Sequence, residues 1–116
     1  MKKHVFGHLR DVKTKADYTK VFLDEKTPTD NLSVGFAMFP PGHETRRHTH
    51  DVEEAILVLS GYGEAFDGEG NKHELKPGTF IYIPTGGKHN VKNTSDMPLE
   101  FVFVITKAKF ESIFEK

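Results

Sequence analysis

Residues 42–61 read GHETRRHTHDVEEAILVLSG, and residues 78–93 read GTFIYIPTGGKHNVKN. In the first stretch Gly42 is followed after five residues by His48-x-His50, after three more by Glu54, and after six more by Gly61. In the second, Gly78 is followed after five residues by Pro84-x-Gly86, after two more by His89, and after three more by Asn93. Each couples Gly/Pro turns to a short run rich in β-branched and aromatic residues, the signature of a strand entered and left by tight turns. Along an extended chain, side chains at i and i+2 point to the same side, so His48 and His50 face one way. Two such imidazoles, a carboxylate from beyond the bend and a third imidazole from His89 offer four donors to one divalent cation.

The rest of the chain repeats this rhythm. Strands are expected over 18–23, 33–39, 55–59, 63–67, 72–75, 80–83, 89–93 and 99–106, separated by Pro40-Pro41-Gly42, Asp67-Gly68-Glu69-Gly70-Asn71, Pro77-Gly78 and Pro84-Thr85-Gly86-Gly87. The Asp67–Asn71 turn joins two strands as a hairpin. Helical spacing occurs only in the tail, 108–116, where Phe110, Ile113 and Phe114 fit a short capping turn of helix. So many short strands predict an all-β fold, a two-sheet antiparallel roll that closes on itself and leaves a cup.

Composition narrows the partners. A length of 116 residues suits one domain, 1–116, around a single core. With 16 basic and 17 acidic residues and no Lys/Arg stripe, neither nucleic acid nor a membrane surface is an expected partner. The amino terminus carries two lysines with no apolar stretch behind them, unlike a signal peptide, and cytoplasmic residence is the expectation. Cysteine is absent, which excludes disulfides, thiolate ligands and cysteine nucleophiles; a bound metal has nitrogen and oxygen ligands only.

Three nitrogens and one oxygen, with positions left for water or substrate, suit Fe, Mn, Ni, Co or Zn rather than a closed thiolate site. Glu53 competes with Glu54 for the carboxylate role; the spacing favours Glu54, and alternation sends Glu53 to the solvated face. His4, His8, His43 and His73 fit no ligand spacing and read as surface residues. Pro84, Gly86 and Asn93 read as structural, bending the strand entry and tying down a turn. If the first strand runs regularly, Glu44 and Arg46 share the face of His48 and His50. Arg46 could then meet a substrate carboxylate or phosphate. Phe36, Met38, Ile56, Val58, Phe66, Ile81, Ile83, Val91, Phe101 and Phe103 are expected to wall the interior, with Tyr82 outside.

The two stretches match, position for position, the two signature motifs of the cupin superfamily, and the chain resembles a small single-domain cupin across 42–93. That resemblance implies a double-stranded β-helix, or jelly-roll barrel, with His48, His50, Glu54 and His89 as metal ligands. It also implies a small-molecule ligand, an enzyme of dioxygenase, decarboxylase, lyase or sugar-isomerase type or a non-catalytic binding module, and a homodimer paired through the segment 18–39. Two departures count. Small cupin lyases acting on dimethylsulfoniopropionate carry a tyrosine two residues after the ligand glutamate, where Ile56 stands here. The acidic and basic pair expected on the last strand of small cupins handling unsaturated sugar acids is missing from LEFVFVITK. No general acid or base stands out beyond the ligands, which favours chemistry done by the metal, with or without dioxygen.

Overall fold

The computed structural model describes residues 3–15 and 18–109. Its strands are β1 (Thr19–Leu23), β2 (Ser33–Phe39), β3 (Glu54–Ser60), β4 (Gly63–Phe66), β5 (Lys72–Leu75), β6 (Phe80–Ile83), β7 (Asn90–Asn93) and β8 (Leu99–Ile105), preceded by one turn of 3-10 helix, Leu9–Asp11. All eight expected strands are present, with ends moved by no more than one residue. The helix expected for the tail lies outside the described residues from Phe110 onward. Among the described residues no helix is long and apolar enough to cross a membrane.

Two antiparallel sheets face each other, one ordered β1-β2-β8-β3-β6 and the other β5-β4-β7. The segment after β2 runs antiparallel beside β7, with bridges Glu44↔Lys92 and His48↔His89, and so widens the smaller sheet. The chain crosses between sheets at nearly every turn, which is the jelly roll. Gly42, Gly61, Gly78 and Gly86, the spaced glycines of the two quoted stretches, all have positive φ, a left-handed conformation in which a side chain is strained. At Gly61 a Cβ would also stand 2.3 Å from the Pro98 carbonyl oxygen.

The core lies between the sheets and is built from Ala37, Phe39, Ile56, Val58, Leu75, Ile83, Val91, Leu99, Phe101, Phe103 and Ile105. Phe36 and Met38 do not belong to it. On β2 the buried side chains are Ser33, Gly35, Ala37 and Phe39, while Phe36 is half-buried and Met38 is 44% exposed. Volume decides this: Gly35 pairs with Phe103 and Ala37 with Phe101, and a Cβ on Gly35 would stand 2.2 Å from the Phe103 ring. Small residues must face the two phenylalanines at close-packed density, which turns the larger alternate set outward. Phe66 is likewise half-buried, its ring 4.8 Å beneath the Arg47 guanidinium. Ile81 is half-buried, and Tyr82 and Glu53 lie outside as expected, hydrogen-bonded to one another through the tyrosine hydroxyl.

Candidate metal centre

One end of the barrel gathers four of the singled-out side chains. Glu54 opens β3 on the interior face and is 1% exposed; His48 and His89, 8% and 6% exposed, pair directly across the widened sheet; His50 follows two residues after His48. The ring centroids are 4.4 Å apart for His48 and His89, 5.1 Å for His50 and His89, and 5.7 Å for His48 and His50. One donor nitrogen from each of the three lies within 4.8 Å of the other two. Glu54 reaches them from the facing sheet, with Oε1 at 3.1 Å from His50 Nε2 and 3.3 Å from His89 Nε2.

Hydrogen bonds orient the rings. Nδ1 of His48 donates to the Arg46 carbonyl at 2.6 Å, Nδ1 of His89 to the Gly87 carbonyl at 2.9 Å, and Nδ1 of His50 to the Val52 carbonyl at 3.3 Å. Each bond fixes a proton on Nδ1 and turns Nε2 toward the centre, as a lone pair on neutral His48 and His89, whereas Nε2 of His50 is hydrogen-bonded to Glu54 Oε1. Nε2 of His48, Nε2 of His89 and Oε2 of Glu54 are buried and have no hydrogen-bond partner in the protein. Lone pairs of nitrogen and carboxylate oxygen packed this closely repel unless a cation lies among them, either a proton or a metal ion. Metal–nitrogen bonds of about 2.0–2.1 Å place two ligands of one cation at most about 4.2 Å apart, so a small contraction of the observed cluster accommodates one.

Titration follows the same geometry. The Glu54 hydrogen bond holds His50 above its ordinary pKa of 6.5 despite its partial burial, whereas desolvation leads in lowering His48 below that value. Burial pushes the Glu54 carboxyl up, but hydrogen bonding to His50 and the close approach of His89 outweigh it, and the net shift is downward. The centre therefore keeps an ionised carboxylate in a buried setting and favours the protonated form of His50.

The family model for the cupin domain (Cupin_2) matches residues 35–105. The chain belongs to the cupin family. It is 35% identical over 89 residues to a dimethylsulfoniopropionate lyase of Ruegeria pomeroyi, covering 77% of this chain and 57% of the lyase, so it spans little more than half of that relative's length. An oxalate-binding protein of Thermotoga maritima is 34% identical over 94 residues, covering 78% of this chain and 77% of that protein. Among solved structures, the polyketide cyclase RemF of Streptomyces resistomycificus superposes with a TM-score of 0.75 at 26% identity, covering 98% of this chain and 89% of that one. Ile56, where tyrosine was expected for a lyase on dimethylsulfoniopropionate, is buried in the core of this cupin at 4% exposure.

Regular alternation through 44–50 is not observed. Thr45 is 3% exposed and buried on the same side as His48, while Glu44 and Arg46 are exposed. Two residues, Arg46 and Arg47, intervene between the buried positions, so the strand is locally irregular and parity is lost. Thr45 hydroxyl accepts from Val91 N–H at 2.9 Å, and Glu44 accepts from the Asn90 side chain at 3.0 Å. Asn90, 4% exposed, also receives the Phe66 N–H at 3.1 Å. Sequence reading missed Thr45 and Asn90, and no spacing signal marks them; they lock the histidine segment onto the smaller sheet.

Proposed function

We propose that His48, His50, Glu54 and His89 hold a divalent cation, one of Fe, Mn, Ni, Co or Zn, and that the protein is an enzyme acting there on a small oxygenated molecule, by decarboxylase- or dioxygenase-type chemistry. The observation that carries the reading is the convergence of three backbone-oriented imidazoles with an ionised, buried carboxylate whose second oxygen has no partner. A cation bound by three nitrogens and one oxygen keeps open positions and supplies Lewis-acid polarisation of a substrate oxygen. The protein's own contributions are separable from that. The carbonyls of Arg46, Val52 and Gly87 hold the rings in place, so little reorganisation accompanies ligand binding. Glu54 Oε2, buried and without a hydrogen-bond partner, is the group proposed to receive a proton from a bound molecule. Arg46, exposed beside the centre, steers anions from solvent, and Glu44 holds Asn90.

Elemental analysis of protein purified without added metal, alongside His48→Ala and His89→Ala, tests the centre. Near-stoichiometric metal in the parent and at least tenfold less in either variant is expected. Equal metal in all three refutes it.

The functional unit is proposed to be a homodimer, paired through the outer face of the five-stranded sheet. That face carries Val34, Phe36, Met38, Leu57, Leu59, Val102, Val104 and Phe80, the last 81% exposed. At about 3.3 Å per residue and 4.8 Å between strands the sheet presents roughly 480 Å², so two stacked copies cover close to 1,000 Å², about what a specific interface needs.

A further inference from the structure

We propose that small molecules reach the metal centre sideways, through the gap between the free edges of β5 and β6, and that Ile81 sets the width of that passage. The inference rests on the metal centre proposed above and adds the route to it. No ladder joins β5, the edge of one sheet, to β6, the edge of the other, so the barrel is open along this side. The gap is a cavity of about 550 Å³, which at roughly 30 Å³ per water is the volume of about eighteen waters. Unpaired N–H and C=O groups along both edges keep it hydrated, so it admits polar as well as apolar molecules.

Strand register sets the inner end of this cavity against the four ligands. Ile83 pairs with Glu54 across β6 and β3, and His89 pairs with His48 across the smaller sheet, so each lies beside a ligand on the same inner face. Ile83 and His89 both line the cavity. The β4–β7 register, continued one step past Asn90↔Phe66, brings Asp67 beside His89, and Asp67 lines it too. On β6 Phe80 and Tyr82 are exposed and Ile83 is 5% exposed, whereas Ile81, packed against the core on one side, is left half-buried in the wall of the gap.

The end of the barrel is tied closed. Gly86 N–H donates to the His50 carbonyl at 2.9 Å and draws the turn 84–87 onto the histidine segment. Thr106 N–H donates to the Glu53 carbonyl at 3.1 Å, Glu53 N–H to the Thr106 hydroxyl at 3.0 Å, and Glu25 N–H to the Ala108 carbonyl at 2.8 Å. Behind these bonds the side chains of His50, His89 and Glu54 are 11%, 7% and 0% exposed. The wide approach is the lateral one.

Labels of graded size test the route. The chain has no cysteine, so one introduced thiol carries one label. Ile81→Cys, in the gap, and Asp51→Cys, exposed at the end of the barrel beside His50, are each capped with methyl or benzyl methanethiosulfonate. Carbethoxylation by diethyl pyrocarbonate, mapped on peptides, then reports access to the Nε2 lone pair of His89 in metal-free protein, with exposed His4 as internal reference. In Ile81→Cys the benzyl cap is expected to slow the reaction of His89 at least tenfold relative to the methyl cap, with recovery when a reductant removes it. In Asp51→Cys the two caps should differ less than twofold. Absence of a size effect in Ile81→Cys, an equal or larger effect in Asp51→Cys, or an unreactive His89 in the unsubstituted protein overturns the proposal. Co(II) that fails to protect His89 refutes the metal reading alone, because the dependence on cap size is measured without metal.

Discussion

Asn93, the last residue of the second quoted stretch, is wholly buried, and removing its side chain should cost stability while sparing the metal centre. Nδ2 donates to the carbonyls of Phe39 at 2.9 Å and Met97 at 2.8 Å, and Oδ1 accepts from the N–H and the hydroxyl of Ser95, both at 2.9 Å. Asn93→Ala deprives the buried Phe39 carbonyl of this donor, at about 1–3 kcal/mol. The bonds to Met97 and Ser95, near the surface, are partly replaced by water and contribute a few tenths to 1 kcal/mol each. The sum is about 2–6 kcal/mol. With an unfolding entropy of about 2.1 cal/mol/K per residue, a chain of this length should lose roughly 8–25 °C in Tm. Differential scanning calorimetry at pH 7 measures it. Asn93→Asp is the sharper variant, since it keeps the two acceptor contacts and turns the donor into a second acceptor facing two carbonyls. Its carboxyl is therefore pushed up in the folded state, so its deficit is smallest below the unfolded value of about 3.9 and grows as pH rises through the folded one. His89 lies four residues away, roughly 13 Å along the strand, so metal content per folded molecule should not change in either variant. A loss under 2 °C for Asn93→Asp at pH 7, or loss of metal with stability intact, would refute the structural assignment.

Metal uptake should weaken as pH falls from 7 to 5, because the cation must displace the proton held on His50 by Glu54; competition with a chelator at several pH values reads this, and pH-independent affinity contradicts it. In the metal-free protein, NMR titration should place His50 above 6.5 and His48 below it, with Glu54→Gln removing the rise at His50. The sign for stability follows: the His50 contribution is complete below 6.5 and is lost as pH rises through its folded value, while that of Glu54 is complete above 4.5 and is lost as pH falls through its depressed value. The Asp67 carboxyl should titrate near 2 and move back toward 3.8 in His73→Ala, since His73 is the first cause of its depression. Gly61→Ala, with φ of +84° and a Cβ 2.3 Å from the Pro98 carbonyl, should lower stability by at least about 2 kcal/mol in chemical denaturation; an unchanged midpoint contradicts the close approach. Leu57→Lys, on the outer sheet face, should give a monomer mass by light scattering at micromolar concentration where the parent gives a dimer.

Strand positions were legible because Gly and Pro turns bracket runs of β-branched and aromatic residues, and both signals are local. Which face of each strand is buried was legible only where polarity alternates. On β3, Glu54, Ile56 and Val58 face inward as expected, helped by the charged start of the strand. On β2 nearly every residue is apolar, so hydropathy could not choose between Phe36 with Met38 and Gly35 with Ala37. The choice belongs to Phe101 and Phe103, more than sixty residues later, which leave space only for small partners. The same limit applies to Glu44 and Arg46, whose expected direction assumed a regular strand through 44–50.

The sequence by itself determined the strand order along the chain, the membership of the cupin family, and the four residues His48, His50, Glu54 and His89 as a set, because spacing along the chain carries all three. Tertiary structure alone decided that Thr45 rather than Arg46 is buried with His48, that the His48, His50 and His89 rings are held by the carbonyls of Arg46, Val52 and Gly87, and that an apolar cleft opens between β5 and β6. Those features depend on which groups meet across two sheets, and contact between segments distant in sequence is set by volume and hydrogen-bond satisfaction, not by spacing.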